Sequence, residues 1–444
     1  MIGGASSIIM YTYVRTYQVV PVPSKYSCPG RPTLPSIVII VRGLCPRSRK
    51  HSLMERTRPL PSPMQRYRHD HTGTFGTCEP INAHKMSWDL VIALFFVATM
   101  VQITDGRIAC VTGASGYLGI EVTAQLLEAG FIVRGTVRNP DNPEKTLDLR
   151  SLKHAERLTL LKADLLGGVD AFLPCVEGAQ VLVHTASPFI TQNISDPMKQ
   201  LVLPAVSGTV AAVSAALKSP SIKSIILTSS IAATMSSTSD KGGRCFHEHD
   251  WNTKSIAANG GLDAYRFSKT MAEKKFWEML EDKTTNPRSV AGVSILPSFI
   301  VGPSRTTRTD GESGTFMKMA LTNEIPYRGD TPMCDVRDVA TAHVRALGVA
   351  GRYSLRQRFI ISSKMAVKRE EVLRWLREVY PNYKVRSDAV STAEKDSGEI
   401  FCPHNLGMIG MLELRKPRDS IIEMAAEMIR RRSVTPIAAA PADL

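Results

Sequence analysis

A doubly wound parallel α/β sheet with a smaller mixed C-terminal lobe is the fold that this 444-residue chain predicts. Three observations predict it. A glycine-punctuated turn, residues 113–119, joins the apolar run Ile108–Val111 to a segment whose Ile120, Ala124 and Leu127 recur at helical spacing. Short apolar runs then alternate with helical stretches in the rhythm of βαβ units. Several of those runs end in small or polar residues, where the strands of such a sheet line a ligand crevice.

The turn comes first. Lacking a Cβ, Gly113 can make the tight bend, Gly116 can let backbone approach a pyrophosphate, and Gly119 can let the helix pack closely on the strand. Phosphates would meet the unpaired N–H groups and positive end of that helix. Ser115, Tyr117 and Leu118 lie between these glycines and join them as candidate cofactor contacts. Strand, glycine turn and helix together are the dinucleotide-binding arrangement of a Rossmann-type sheet.

Gly130 ends the helix, and Phe131–Val137 reads as a second strand. An acidic residue at its end would suit the ribose of NAD; the chain instead has Arg138, with Lys145 seven residues later. A guanidinium holds a 2′-phosphate by paired, charge-assisted hydrogen bonds, so NADP(H) is the expected cofactor. Residues 158–163 form the next strand, ending at Asp164 and Leu165, with Asp164 placed for the adenine edge. Residues 179–184 follow, and Thr185, Ala186 and Ser187 are expected to pass beside the ribose. His184 has no partner at ligand spacing and reads as structural.

A helix over residues 203–217 leads to the strand 224–230, which ends in Thr228-Ser229-Ser230. Further on, Tyr265 and Lys269 stand i,i+4 on one helix face. A free tyrosine ionises near pH 10, too high for acid–base work at neutrality, and a nearby ammonium favours the phenolate. Tyr265 is therefore the candidate proton donor, Lys269 its tuning partner, and Ser230 the group that holds a substrate carbonyl.

These residues resemble an extended short-chain dehydrogenase/reductase, in particular the dihydroflavonol reductase, cinnamoyl-CoA reductase and fungal ketoreductase group. The matching pieces run in order over about residues 107–432. They are Thr-Gly-Ala-Ser-Gly-Tyr-Leu-Gly (112–119), Thr-Val-Arg-Asn-Pro (136–140), Lys-Ala-Asp-Leu (162–165), His-Thr-Ala-Ser-Pro (184–188), Leu-Thr-Ser-Ser (227–230), Asp-Trp-Asn (250–252), Tyr265-x-x-x-Lys269, Leu-Pro-Ser-Phe-Ile-Val-Gly-Pro (296–303) and Asp-Val-Arg-Asp-Val-Ala-x-Ala-His (335–343). The resemblance implies that Pro297 and Ser298 border the nicotinamide, with Ile300 beside them, and that Arg138 and Lys145 hold the 2′-phosphate. Around Tyr265 the chain reads Gly-Leu-Asp-Ala-Tyr where cinnamoyl-CoA reductases carry Asn-Trp-Tyr-Cys-Tyr, which counts against that substrate. The interval from Glu324 to Asp335 is short for the family, so part of the substrate wall is expected to be abbreviated.

Other features bound the reading. Residues 1–105 hold twelve Lys and Arg against five Asp and Glu, and ten prolines precede residue 86. That proline density predicts little regular structure, so 1–105 reads as a disordered or targeting extension. The apolar run Leu90–Val101 is twelve residues, short of the about 20 needed to span a membrane. If translation began at Met86 it would read as a signal-peptide core or membrane anchor. The net charge of +14 comes with no aromatic-interleaved basic patch or zinc-finger spacing, which argues against a nucleic-acid partner. Eight scattered cysteines without a Cys-x-x-Cys pair predict free thiols in a reducing compartment, hence the cytoplasm, unless residues 1–105 carry an address. No metal is expected: His247-Glu248-His249 lacks a third ligand and reads as a loop contact. Thr306–Gly314 suits a mobile lid, and 370–379 and 419–431 are amphipathic helices of the closing lobe.

The chain thus divides into the extension 1–105, an NADP-binding domain 106–296, a mainly substrate-binding lobe 297–432 and a tail 433–444. The expected activity is NADPH-dependent reduction of a small aldehyde, ketone or dihydroflavonol-like carbonyl, by a monomer or homodimer. Two other readings stay open. One is an NAD-dependent sugar-nucleotide epimerase or dehydratase on the same fold, against which Arg138 argues. The other is a non-catalytic NADP-sensing module, which would need no tuned acid.

Overall fold

The computed structural model describes residues 106–187, 194–237, 242, 244–326, 330–352, 356–387 and 398–435, together with the backbone of three strands nearer the N-terminus. The chain divides into two units, Met1–Val91 and Ile92–Leu444. In the first, β1 (Ser7–Met10), β2 (Arg15–Pro21) and β3 (Ile37–Gly43) form an antiparallel sheet in the order β1-β2-β3. This corrects the expectation of little regular structure there. Proline blocks a strand only where its missing N–H is needed. Pro21 ends β2, past the reach of β1, which pairs only with residues Arg15 to Gln18. The apolar run Leu90–Val101 lies outside the described residues.

The second unit is built on a seven-stranded sheet, all its pairings parallel, in the order β12-β9-β8-β7-β4-β5-β6. Its strands are β4 (Ile108–Thr112), β5 (Ile132–Val137), β6 (Leu158–Lys162), β7 (Val181–His184), β8 (Ser224–Thr228), β9 (Ala291–Pro297) and β12 (Gln357–Ile361). Covered on both faces, the central strands are continuous apolar runs rather than alternating ones. Every residue of β7 and β8 is buried.

Helix α1 (Tyr117–Glu128) covers one face of the sheet and α2 (Pro143–Arg150) follows β5; α3 (Leu173–Val176), α4 (Leu203–Lys218) and α5 (Gly261–Glu281) lie against the other face. By length and apolarity alone, Met198–Lys218 would pass for a membrane span. Its Ala211, Ala212, Ala215 and Ala216 are instead buried among Leu182, Ile225 and Phe276 of the core.

The smaller lobe pairs β10 (Phe299–Val301) with β11 (Met333–Asp335) and packs α6 (Glu312–Leu321), α8 (Arg369–Val379) and α9 (Pro417–Arg430) around Phe316, Leu373 and Met424. The boundary expected at residue 297 does not separate these bodies cleanly. Helix α7 (Val336–Ala346) packs on α1, and β12 becomes the edge strand of the large sheet. Asp335 caps α7 by accepting from Arg337 N and also accepts from Ser420 Oγ on α9, so one carboxylate joins the two bodies.

The cysteine expectation is also corrected. Cys110 is bonded to Cys175 and Cys245 to Cys402, with Cα separations of 5.6 and 5.7 Å, while Cys334 is a buried free thiol. The partners are 65 and 157 residues apart, so their pairing is a product of the fold that spacing could not reveal.

Candidate active site

The cleft opens where the ends of β4, β7 and β8 meet, at the point where strand order reverses on either side of β4. Gly113 has φ +68°, and a Cβ there would come within 3.1 Å of Ala186. A Cβ at Gly119 would sit 2.1 Å from the Gly113 carbonyl oxygen, and one at Gly116 3.2 Å from the same oxygen. Glycine at 113 and 119 is what lets this turn close. Helix α1 starts beyond it with no side-chain cap and no acidic residue in its first turn, leaving its N–H groups directed at the cleft. That cradle fits a pyrophosphate. Tyr117 fixes the turn to the lobe by donating to Gly302 O at 2.6 Å, and burial, then Asp335, holds its phenol in the protonated form.

The strand ends are cross-braced. Thr112 Oγ1 accepts from Ala186 N at 3.1 Å and meets His184 Nδ1 at 2.8 Å, while Thr185 Oγ1 donates to Thr112 O. His184 has the structural place expected of it, and burial, then Lys269, pushes its pKa down to about 3.

Ser230 lies two residues past β8, where its Oγ accepts from Ala232 N at 3.1 Å and donates toward Pro297 O at 3.5 Å. Helix α5 presents Lys269, 6% exposed, whose Nζ donates to Thr228 O at 3.0 Å. Burial lowers the pKa of Lys269 to about 8, against the opposing pull of Glu273. Tyr265 is half-buried one helical turn earlier, where its carbonyl accepts from Ser268 Oγ. Ser230, Tyr265 and Lys269 all line one cleft of about 630 Å³, together with Gly113, Ser115, Gly116, Tyr117, Leu118, Gly119, Arg138, Thr185, Ser187, Pro297, Ser298 and Ile300.

Four candidate cofactor contacts do not line this cleft: Lys145, Asp164, Leu165 and Ala186. Asp164 is exposed and accepts from Leu166 N at 2.8 Å, in a turn of its own making. Leu165 packs on Gly208, where a Cβ would meet it at 2.3 Å. Ala186 packs on Gly113. Lys145 is exposed on α2 and adds to the lowering of the Asp310 pKa, which Arg308 chiefly causes.

The lid expectation needs revision. Asp148 Oδ2 accepts from Thr306 Oγ1, Thr307 N and Thr307 Oγ1 at 2.8 to 3.1 Å, pinning the stretch to α2. Glu312 to Gly314 are the first turn of α6, and Arg308 and Asp310 pair through two hydrogen bonds. In the His247–His249 segment, Glu248 is 2% exposed and accepts from the backbone of His404 and Asn405, so the motif closes a loop.

Sequence reasoning missed the polar residues behind the cleft. Thr228 Oγ1 meets His343 Nε2 at 2.7 Å, and His343 Nδ1 meets Val339 O at 2.8 Å. Val339 O can only accept, so the proton is on Nδ1, and Nε2 accepts from the threonine hydroxyl. Glu273 and Arg358 form a second buried group, whose one legible signal is Glu273 standing i,i+4 from Lys269.

Residues 110–349 match the 3-beta hydroxysteroid dehydrogenase/isomerase family. The cinnamoyl-CoA reductase CAD2 of Medicago truncatula is 33% identical over 285 residues, which are 63% of this chain and 83% of that one. The structure of Gre2 from Candida albicans in complex with NADPH is 25% identical, with TM-score 0.62, covering 73% of this chain and 99% of that chain. Vestitone reductase from alfalfa is 26% identical, with TM-score 0.58, covering 74% of this chain and 99% of that chain. The glycine turn, the parallel sheet and these matches agree: the chain belongs to the 3-beta hydroxysteroid dehydrogenase/isomerase family and is an oxidoreductase of the extended short-chain dehydrogenase/reductase type.

Proposed function

We propose that this oxidoreductase reduces the carbonyl of a small aldehyde or ketone with NADPH, using Ser230, Tyr265 and Lys269. The observation that carries the reading is that all three open onto the same cleft as the glycine turn. When bound, the cofactor supplies hydride to the carbonyl carbon. Gly113, Gly116 and Gly119 seat its pyrophosphate, and Arg138, in the same cleft, takes the 2′-phosphate. Ser230 Oγ holds the carbonyl oxygen, and Tyr265 gives it a proton from the phenol. The Lys269 ammonium, fixed by Thr228 O, stabilises the phenolate left behind. The names of two of the relatives, cinnamoyl-CoA reductase and vestitone reductase, support this direction of reaction. We take the working unit to be a monomer or homodimer.

The test is NADPH oxidation with a panel of aldehydes, ketones and dihydroflavonols. Turnover of at least one of them is expected, with kcat lowered about 10²- to 10⁴-fold in Tyr265→Phe. An undiminished rate in that variant overturns the mechanism. Tightly held NAD that survives purification, with no turnover of free carbonyls, would favour the epimerase or dehydratase reading instead.

A further inference from the structure

Behind Lys269 the core holds an ion pair with no role in the scheme above. Glu273 is 0% exposed and Arg358 is 2% exposed. Arg358 Nε donates to Glu273 Oε1 at 2.7 Å and Nη2 to Oε2 at 3.1 Å. The carboxylate also accepts from Ser229 Oγ, just past β8, and Ser294 Oγ on β9, both at 2.6 Å, and from Trp277 Nε1 at 3.3 Å. On its other side the guanidinium donates to Glu248 O and Asp250 O at 2.6 Å and lies 3.9 Å over the Trp251 ring. Separated charges buried this deeply are costly, and an apolar pair of similar volume would often serve stability as well. The cost points to a use.

The placement shows which. Glu273 is one helical turn from Lys269, and the hydroxyl it holds belongs to Ser229, the neighbour of Ser230. The titratable groups around Lys269 are Tyr265 and Glu273 on its own helix and His184 from β7; His343 reaches it only through Thr228. Burial keeps His184 and His343 neutral, at about 3 and about 4. Glu273 is thus the one fixed negative charge among them. Although burial pushes its carboxyl up, Arg358 and the two serine hydroxyls hold it below the ordinary carboxylate range.

We propose that the Glu273–Arg358 pair is a positioning device for the catalytic set: its carboxylate keeps Lys269 charged and holds the segment after β8 that carries Ser230, and Arg358 keeps that carboxylate ionised. The proposal rests on the carbonyl-reductase reading. Neither residue lines the cleft.

The experiment compares native enzyme with the double variant Glu273→Gln/Arg358→Met, which removes both charges of the pair together and leaves the Lys269 ammonium without its carboxylate. The alkaline limb of kcat is expected to fall by about one pH unit, with roughly a tenfold loss of kcat near pH 8.5 and carbonyl KM within about twofold of native. A folded double variant with the native limb overturns the proposal. If the double variant does not fold, Arg358→Lys takes its place; it keeps the charge balance but loses the fork. It should keep the native limb and lower kcat about threefold or more, and a native kcat there overturns the proposal. A second readout needs no turnover: the ultraviolet ionisation of Tyr265, taken as native minus Tyr265→Phe, should move to higher pH in the double variant. An unmoved midpoint overturns the pair's role even if no carbonyl in the panel is reduced, whereas that lack of turnover alone counts against the functional reading.

Discussion

Thr228 serves two partners at once, its carbonyl accepting from Lys269 and its hydroxyl donating to His343. His343 and His184 both fold neutral, with pKa values pushed down by burial to about 4 and about 3. The unfolded chain binds protons at these positions near pH 6.5, so it holds more protons than the native state just below that pH. Stability should be fully present above about pH 6.5 and fall as pH drops toward 4, by up to about 1.4 kcal/mol per pH unit for each histidine. Urea midpoints from pH 7 to 4.5 check this, and His343→Gln should flatten the slope. Arg138→Ala should cost about 1–3 kcal/mol of NADPH binding while leaving NADH nearly unaffected, read by cofactor fluorescence titration. At this scale the sequence was legible where chemistry sits at short spacing. Tyr265 and Lys269 announce themselves by standing one turn apart, and Arg138 by ending a strand. Arg358 joins Glu273 from 85 residues away and had no local signal at all. Asp164 was read for adenine because it follows a strand; it stands exposed there, with Oδ1 accepting from Leu166 N.

At the scale of elements, the turn before α1 is the least forgiving piece. A methyl at Gly119 would be driven into the Gly113 carbonyl, so Gly119→Ala should open the turn at a cost of about 1–3 kcal/mol. Cofactor binding should fall further than thermal stability does, which calorimetry of the same sample separates. The strands were readable because β7 and β8 are unbroken apolar runs ended by polar residues. The polar stretch before α6 misled, since composition alone cannot say that Asp148 on another helix will hold it. Proline content misled likewise before residue 44, because β1 precedes the first proline, β2 ends on Pro21 and β3 lies between Pro35 and Pro46.

For the whole molecule, the Cys245–Cys402 bond closes a loop of 157 residues, which ties the segment before Trp251 to the C-terminal third. Replacing both cysteines by serine should lower unfolding free energy by about 2–4 kcal/mol, and alkylation of the native protein followed by peptide mapping tests the pairing directly. Such bonds persist in oxidising compartments, so the same map made on protein from its own cells reports where the chain resides. The edge strand β12 carries a different consequence, one of time. The sheet is laid down from β4 outward, but its last place is taken by residues 357–361, and with them comes Arg358. A ribosome adding about 5–20 residues per second delivers Arg358 some 4–17 s after Glu273. Through that interval the nascent chain has every reacting side chain, but the carboxyl behind the lysine lacks the guanidinium that holds it ionised. Chains stalled before residue 356 should therefore be protease-sensitive on the ribosome, and those released past the end of β12 should resist. The enzyme would thus acquire its chemistry late in its own synthesis, after its glycine turn has already formed.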